Sequence, residues 1–333
     1  MLDFSRFNRQ KIMITGGVGL IGSALARRLL ESGAEVDILL VDSLNENFGG
    51  NLFNIGAIRD RVRVNISDIR DTHGLRYLLR DCDIIFNLAG QTSHLDSMSA
   101  PFEDLQINCL AQLSLLEACR EINPDVRIIY ASTRQVYGRP QYLPVDERHP
   151  VNPVDVNGIN KVSGESYHLL YHTVHGLPTT VLRLTNTYGP HMRIRDARQI
   201  FLGIWVKNLI QGKPFEVWGG AQRRDFLYVD DAADAFIAAA LSDSTIGKVL
   251  NVGGSDTVTL EELAQRLAGV RGSSGFQVCE FPADRKRIDI GDYFTDDTAF
   301  RQLTGWQPLT SLADGLSQTV DFYRKHIDAY LSS

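Results

Sequence analysis

The stretch that decides the fold is KIMITGGVGLIGSALARRLL, residues 11–30. A short apolar run at its start stops at two adjacent glycines, and from Leu20 onward apolar residues recur at helical spacing, at Ala24, Leu25 and Leu29. The stretch therefore predicts a strand, a glycine turn and a helix in direct succession.

Three glycines in this turn, Gly16, Gly19 and Gly22, have the spacing G-x-x-G-x-x-G. The spacing is related to the dinucleotide fingerprint, in which a backbone without side chains approaches a pyrophosphate at a helix N-terminus. We predict that these glycines bind a dinucleotide, together with Leu20 and Ile21 at the start of the helix. Because glycine turns also serve plain strand-to-helix packing, a second signal is needed.

The second signal is an acidic residue at the end of the next apolar run. Residues 35–41 lead to Asp42, about twenty residues beyond the turn, where dinucleotide folds place a ribose-binding carboxylate. A carboxylate there accepts hydrogen bonds from the adenosine hydroxyls and repels a 2'-phosphate. The sequence therefore predicts NAD rather than NADP, and the alternative role of Asp42 is that of a turn or cap residue.

Apolar runs continue to alternate with helical segments, at 62–66, 83–87, 126–131 and 179–184. This alternation predicts an α/β fold, a Rossmann-like doubly wound parallel sheet that binds its ligands at the carboxyl ends of the strands. The candidate residues that fall at such ends are Gly19, Asp42, Asp68, Ala89 and Thr133.

Beyond Pro190 the pattern becomes less regular, which predicts a second, smaller domain. We expect an NAD-binding domain at residues 1–185, with a returning segment at about 225–253, and a substrate-binding domain at residues 186–333.

The composition excludes several classes of partner. The chain has 333 residues, of which 44% are hydrophobic and 22% charged, with a formal net charge of -6. Such a chain is long enough for real cores, and it offers no basic field for a nucleic acid or an acidic membrane surface. An anionic substrate must then be held by local arginines.

The cysteines and histidines give no sign of a metal site. The four cysteines are far apart and form no C-x-x-C pair, which predicts reduced thiols in a cytoplasmic protein. His168, His172 and His175 have helical spacing without a carboxylate or cysteine partner, so we expect a solvated helix face. No apolar run approaches the length of a membrane span.

The stretch that carries the chemistry is residues 130–165, which begins YASTRQVYG and continues through a proline-rich loop to a helix with Lys161. This pattern resembles the extended short-chain dehydrogenase/reductase family, the NAD-dependent nucleotide-sugar epimerases and dehydratases, and in particular its UDP-glucose 4-epimerase-like members. The likeness continues in RLTNTYGP at residues 183–190 and in GAQRRDFLYVDD at residues 220–231.

The resemblance implies further cofactor contacts. The text S-D-I-R around Asp68 and Ile69 is similar to the family's G-D-I-R, in which the acid meets the adenine edge. The text L-A-G-Q that begins with Leu88 and Ala89 is similar to H-L-A-A-Q, in which small residues let the cofactor pass over a strand end. Lys161 would hold the nicotinamide ribose.

The resemblance also implies that the substrate is a nucleotide diphosphate sugar. Arginine suits a diphosphate because its planar fork donates two parallel charge-assisted hydrogen bonds. Near the C-terminus, Lys286 occupies the position of a family arginine. The implied substrate contacts are His94, Arg134, Gln135, Asn186, Gln222, Arg224 and Lys286.

One catalytic position departs from the family. Its members have a tyrosine four positions before the lysine, and the phenolate removes a sugar hydroxyl proton while hydride passes to the cofactor. Here the three catalytic positions are Thr133, Lys161 and Asn157, and an asparagine does not titrate. The candidates to replace the missing base are Lys161 itself, Tyr137, His94, His191 or a water positioned by Asn157.

The residues after the threonine bear on the reaction. Family 4,6-dehydratases have Asp-Glu there, because eliminating water needs an acid and a base. Arg134 and Gln135 do neither task at neutral pH, so we expect epimerase-type chemistry, in which a sugar hydroxyl is oxidised and then reduced again. The alternatives are a dehydratase or ketoreductase, and a non-catalytic protein that binds NAD and a nucleotide sugar. A homodimer through helices at 101–122 and 155–175 is implied by the resemblance.

Overall fold

The computed structural model describes residues 3–270, 275–282 and 288–331. The strands, in chain order, are β1 (Lys11–Thr15), β2 (Asp37–Asp42), β3 (Arg63–Ile66), β4 (Ile84–Asn87), β5 (Arg127–Thr133), β6 (Thr179–Leu184), β7 (Asn186–Tyr188), β8 (Phe215–Trp218), β9 (Arg223–Tyr228), β10 (Val249–Val252), β11 (Thr257–Thr259) and β12 (Phe276–Cys279).

The α-helices are α1 (Leu20–Glu31), α2 (Thr72–Leu78), α3 (His94–Ser99), α4 (Pro101–Leu105), α5 (Ala111–Ile122), α6 (Val156–His175), α7 (Phe201–Ile210), α8 (Val229–Leu241), α9 (Leu260–Gly269), α10 (Thr298–Thr304), α11 (Leu312–His326) and α12 (Asp328–Leu331). Short 3-10 segments lie at Phe4–Phe7, Glu46–Phe48, Leu52–Arg61, Arg134–Tyr137 and Asp243–Thr245.

A seven-stranded sheet forms the centre of the molecule, in the order β10-β6-β5-β4-β1-β2-β3. Every neighbouring pair in it is parallel. Successive side chains alternate between its two faces, so Ile12 and Ile14 join one hydrophobic core while Met13 joins the other. The predicted doubly wound α/β fold is confirmed.

The helix predicted over residues 101–122 contains a local irregularity. The α4 helix passes into one π-helical turn at Gln106–Leu110 before α5 continues to Ile122. Hydrophobic spacing signals a helix but not a wider turn inside it, so the sequence predicted the helix and not the π turn.

The segment around 225–253 returns to the large sheet. Its strand β10 pairs with β6, and its helix α8 packs against α1, where the guanidinium of Arg28 donates to both carboxylate oxygens of Asp234 at 2.7 and 2.8 Å. The boundaries of the two expected domains stay a prediction.

Two small sheets belong to the second half of the chain. In one, β9 pairs antiparallel with β11 and parallel with β7; in the other, β8 pairs parallel with β12. The strand β7 follows β6 after a single residue. Asn186, the first residue of β7, therefore lies where the chain passes from the large sheet to the three-stranded one.

The expectation of a solvated histidine face on α6 was wrong for one of the three residues. His175 is exposed, but His168 is buried and stacks on the ring of Tyr130, with 4.2 Å between the ring centroids. Burial lowers the pKa of His168 to about 4, because a charged imidazolium would lose its hydration there.

Within the described ranges, no helix combines the length and the apolar character needed to cross a membrane. In the same part of the chain, no group of three or more His, Cys, Asp or Glu side chains is placed to hold a metal ion.

Candidate active site

One cavity opens at the carboxyl edge of the large sheet, and residues that follow β1 to β6 form its wall. All the predicted cofactor and catalytic positions lie on this wall: Gly16, Gly19, Leu20, Ile21, Gly22, Asp42, Asp68, Ile69, Leu88, Ala89, Thr133, Asn157 and Lys161. Of the predicted substrate contacts, His94, Arg134 and Asn186 lie there too.

The glycine turn is shaped by a close approach of backbone to backbone. Gly16 has a φ of +67°, and a Cβ on Gly22 would lie 2.3 Å from the carbonyl oxygen of Gly16. The helix α1 then begins at Leu20, and its N-cap residue, Gly19, provides no side-chain cap. Its first amides are therefore left for an anion, which fits the pyrophosphate of a dinucleotide.

The two acidic residues predicted to bind the cofactor, Asp42 and Asp68, each accept hydrogen bonds from neighbouring residues. The carboxylate of Asp42 accepts hydrogen bonds from the backbone amides of Val18 at 3.1 Å and Leu44 at 2.9 Å. Asp68 accepts from the backbone and side chain of Arg70, which lowers the pKa of its carboxyl. A carboxylate has about four acceptor positions, so Asp42 keeps capacity for ribose hydroxyls.

Lys161 reaches the cavity from α6 and is nearly enclosed. Its Nζ donates to the carbonyl oxygen of Ala131 at 3.1 Å and lies 4.9 Å from the ring centroid of Tyr130. Burial lowers the pKa of Lys161 to about 8, so the group is still mostly protonated at neutral pH. A Cβ on Gly90 would lie 3.0 Å from Nζ, so the absence of a side chain at position 90 keeps the ammonium accessible.

Asn157 is held by buried polar groups. Its Nδ2 donates to the Gln91 carbonyl oxygen at 2.8 Å and to a carboxylate oxygen of Asp104 at 3.0 Å. Asp104 also accepts from the Nδ2 of Asn160 at 2.8 Å. The side chain at this position is therefore an anchor between α6 and α4, and its amide nitrogen is fully engaged.

His94 and Asp155 form a pair beside the catalytic positions. The Nδ1 of His94 lies 3.0 Å from Oδ2 of Asp155, whose side chain is only 1% exposed. The other oxygen, Oδ1, accepts from the amide of Gly158 at 2.7 Å and thereby caps α6. Burial acts to raise the pKa of Asp155, but contact with His94 and the cap leave it below its usual value.

Arg134 is a cation held by neutral acceptors. Its guanidinium donates to Oε1 of Gln135 at 3.0 Å and to Oδ1 of Asn186 at 2.9 Å, and it lies over the ring of Tyr293 at 5.4 Å. Burial lowers the pKa of Arg134. Within the described part of the chain, no carboxylate forms an ion pair of 4.0 Å or less with this guanidinium.

Several predicted substrate contacts lie off this wall. Gln135 is buried beneath Arg134, and Gln222 and Arg224 belong to the turn before β9 and to β9 itself. Arg224 donates to the carbonyl oxygen of Gly291 and to Asp289, the latter at 3.2 Å. Lys286 lies outside the described residues. The substrate roles of all four stay predictions.

Two of the candidate bases also lie elsewhere. The hydroxyl of Tyr137 donates to Asn251 at 2.7 Å, and burial raises the pKa of Tyr137 to about 12. The ring of His191 contacts Tyr330 at 2.8 Å, and burial lowers the pKa of His191 to about 3. Neither residue is part of the cavity wall, so the structure does not favour either as the proton acceptor.

A buried ion pair supports the end of β5 from behind. Arg183 donates to both oxygens of Glu165, at 2.9 and 2.6 Å, and the hydroxyl of Ser132 donates to the same carboxylate. This arrangement fixes the residue next to Thr133. The sequence indicates this ion pair only weakly, because nothing distinguishes Glu165 from any other acidic residue in a predicted helix.

Sequence reasoning also missed Asp155 and Asp104 as parts of the site. Asp155 could have been found from its position, because an aspartate directly before a helix is a common N-cap. The meeting of Asp155 with His94, 61 positions earlier in the sequence, depends on the fold.

The sequence matches the family described as NAD dependent epimerase/dehydratase over residues 12–253. The chain belongs to this family. It is similar to a UDP-glucose 4-epimerase of Mycolicibacterium smegmatis, with 32% identity over 94% of this chain and 98% of that protein. It is also similar to a dTDP-glucose 4,6-dehydratase of Streptomyces griseus, with 31% identity over 95% and 94% of the two chains.

Among solved structures, the fold is similar to the UDP-glucuronic acid 4-epimerase of Bacillus cereus in complex with UDP-glucuronic acid and NAD. The TM-score is 0.84 at 28% identity, and the match covers 95% of this chain and 100% of that one. The family is NAD-dependent, and its members that resemble this chain include nucleotide-sugar epimerases and dehydratases.

Proposed function

We propose that the chain is an NAD-dependent nucleotide-sugar epimerase-type enzyme that transiently oxidises a sugar hydroxyl and reduces it again. The observation that supports this most directly is the meeting of Thr133 and Lys161 with the glycine turn on one cavity wall. A binding protein needs the glycine turn, but it does not need a hydroxyl and a buried ammonium at the same place.

The residues present fit NAD. The uncapped start of α1 and the close packing of Gly16 and Gly22 suit the pyrophosphate, Asp42 suits the adenosine ribose, and Lys161 suits the nicotinamide ribose. When bound, the nicotinamide supplies hydride transfer. The protein's own part is to orient the sugar through Thr133 and to exchange the hydroxyl proton.

The proposed substrate is a nucleotide diphosphate sugar. Arg134 and Asn186 are hydrogen-bonded to each other on the cavity wall, and Arg224 lies close enough to Arg134 that repulsion between the two cations, after burial, lowers its pKa to about 10. Arg134 lies on the cavity wall and has no carboxylate within ion-pair distance among the described residues, which favours an anionic ligand.

The same arrangement argues against 4,6-dehydration. Arg134 and Gln135 are hydrogen-bonded to each other, and neither a guanidinium nor an amide exchanges protons at neutral pH. Elimination of water needs both functions near the leaving hydroxyl.

The test is a panel of UDP-, GDP-, CDP- and dTDP-sugars with the purified protein and NAD. We expect at least one product isomer, detected by NMR, or transient NADH absorbance. A Thr133→Val variant should lower the rate roughly tenfold or more, since a hydrogen bond of about 1–3 kcal/mol is lost at the reacting group. Thr173→Val, at an exposed position on α6, is the matched control.

The second candidate is a binding protein without catalysis. Under that alternative, NAD and a nucleotide sugar would raise the unfolding temperature, yet no isomer and no NADH would appear with any sugar of the panel. That result would contradict the enzyme proposal.

We also propose that the chain forms a homodimer through α4, α5 and α6. The helix α6 packs against α4 and α5, and exposed apolar side chains remain on α4 and α6, among them Phe102, Leu105, Ile159 and Val174. Apolar residues gathered on neighbouring helices favour a protein interface over a free surface.

A further inference from the structure

We propose that His94, oriented by Asp155, is the general base that accepts the sugar hydroxyl proton in place of the absent tyrosine. This inference rests on the proposed function. It concerns removal of the sugar hydroxyl proton, for which the catalytic positions Thr133, Asn157 and Lys161 supply no free proton acceptor.

The geometry of the pair fits the task. Nδ1 of His94 and Oδ2 of Asp155 lie 3.0 Å apart without the alignment of a hydrogen bond, and neither buried atom has a hydrogen-bond partner among the described residues, so it is the charge of the carboxylate that favours a proton on Nδ1. The lone pair then resides on Nε2. His94 is on the wall of the cavity that also contains Thr133, and its side chain is 33% exposed, so a ligand can reach it. In many enzymes, a carboxylate fixes the tautomer of a histidine that acts as general base.

Asp155 is held in place by a second contact, with the first turn of α6. One carboxylate oxygen caps α6 at Gly158, which leaves the other oxygen for His94. The first turn of the same helix carries Asn157, the position at which the family has its tyrosine. The orienting carboxylate is thus the N-cap of α6, two residues before the position at which the family has its tyrosine.

The other groups on the wall are poorer acceptors. With a pKa of about 8, Lys161 is mostly an ammonium at neutral pH and donates to Ala131. The amide nitrogen of Asn157 is bound to Gln91 and Asp104, and an amide takes no proton near neutral pH.

The charged groups around the pair do not replace Asp155. On the helix of His94 itself, Asp96 is paired with Arg198 at 3.1 Å. From the end of β5, the guanidinium of Arg134 acts on Asp155 and favours its ionised form. In the described residues, Asp155 is the carboxylate in direct contact with the imidazole.

In the proposed step, His94 exchanges one proton with the sugar hydroxyl. The O–H bond of the sugar would break and its proton would pass to Nε2 of His94, while the carbon–oxygen double bond forms and bound NAD serves as the hydride acceptor. For an epimer to form, the hydride would come back to the opposite face of the same carbon, and the imidazolium would return its proton to the oxygen. Asp155 stays ionised throughout and stabilises the imidazolium.

Chemical rescue is the first test. His94→Ala should lower the rate of isomer formation roughly 100- to 10,000-fold, the usual worth of a general base, and added imidazole should restore part of it. His73→Ala, at an exposed position of α2, should change nothing and should not respond to imidazole. Urea unfolding of both variants checks that the fold is intact.

Asp155→Asn separates the orienting charge from the helix cap. An asparagine oxygen can still accept from Gly158, so α6 keeps its cap, while the negative charge beside His94 is removed. We expect at least a tenfold loss of rate. The matched control is Asp71→Asn, because Asp71 caps α2 through the amide of Gly74 at 3.1 Å and has no histidine partner among its described contacts.

A measurement without substrate tests the pair independently of catalysis. In protein labelled with 15N-histidine, His94 should show a proton on Nδ1 and a free Nε2, and Asp155→Asn should shift that tautomer signal. If no sugar of the panel reacts but this signature is present, the proposed function fails while the pair itself stands.

Three results would overturn the assignment: a His94→Ala rate equal to that of the wild-type protein, a loss of rate that imidazole does not restore, or an Nδ1 without a proton in the wild-type spectra. A loss confined to the KM for the sugar would make His94 a binding group only.

Discussion

The carboxylate of Asp42 shows how one side chain can stabilise the fold and still face a cavity. Its two backbone hydrogen bonds join the glycine turn at Val18 to the end of β2, and it still lies on the cavity wall. The turn role and the cofactor role, which the sequence offered as alternatives, are therefore compatible in one side chain.

At this residue we predict a change in cofactor preference. Asp42→Asn keeps an oxygen for one backbone amide but removes the charge that would repel a 2'-phosphate, so the affinity for NADP relative to NAD should rise roughly tenfold, about 1.4 kcal/mol. Calorimetric titration of both cofactors measures this ratio.

The control for Asp42 is Asp37→Asn, at the other end of β2, where the carboxylate pairs with Arg63 at the surface. This variant should leave the ratio unchanged. An unaltered ratio in Asp42→Asn would mean that the carboxylate does not face the adenosine ribose.

At the scale of elements, the sequence was informative wherever a local pattern determines a local structure. The runs ending at Thr15 and Leu184 gave the bounds of β1 and β6, since buried parallel strands are short apolar runs between turn signals. The candidate cofactor positions lie together on one wall, as predicted, because the ends of parallel strands meet at one edge. The π turn at Gln106–Leu110 and the pairing of His94 with Asp155 depend on packing between distant elements, and no local pattern signals them.

The packing of α6 against β5 makes a pH-dependent prediction. His168 of α6 is buried on Tyr130 of β5, and its pKa of about 4 lies below the value of about 6.5 in an unfolded chain. Between these values the unfolded state binds a proton that the folded state does not. Burial of His168 therefore has no pH-dependent effect on stability above about pH 6.5. Below that value, the free energy of unfolding falls as the pH drops towards 4.

Urea unfolding at pH 7.5 and pH 5 measures the contribution of His168. As the pH falls, the free energy of unfolding of the wild-type protein should decrease by up to about 1.4 kcal/mol per pH unit because of this residue. In His168→Gln the decrease should be correspondingly smaller. His175→Gln, at the exposed end of the same helix, should behave like the wild-type protein. Equal losses in the wild-type protein and His168→Gln would show that another group controls the acid response.

At the scale of the whole molecule, the proposed site and the proposed dimer share α6. The buried side of this helix carries Lys161 and Asn157, and its outer side carries Ile159, Leu170 and Val174. An interface on the outer side would restrict how far the helix can move relative to β5, to which Lys161 is hydrogen-bonded through Ala131. Assembly and the position of the ammonium are then coupled through one rigid element.

This coupling leads to the prediction that the wild-type chain is a dimer at micromolar concentration and that a charge on the outer side of α6 dissociates it. The side chains of Ile159 and Val174 are 53% and 61% exposed in the single chain, so each can accept a lysine without a clash. Burying that ammonium in an apolar interface would be unfavourable. Sedimentation equilibrium of Ile159→Lys and Val174→Lys should therefore give the monomer mass.

The matched control for the dimer is Tyr77→Lys on α2, because Tyr77 is 73% exposed and lies outside the three proposed interface helices. It should remain a dimer. If the two α6 variants become monomers and also bind NAD more weakly, the rigid connection from the interface to Lys161 is supported. A wild-type monomer, or dimers in all three variants, would mean that the exposed apolar residues of α6 do not form the interface.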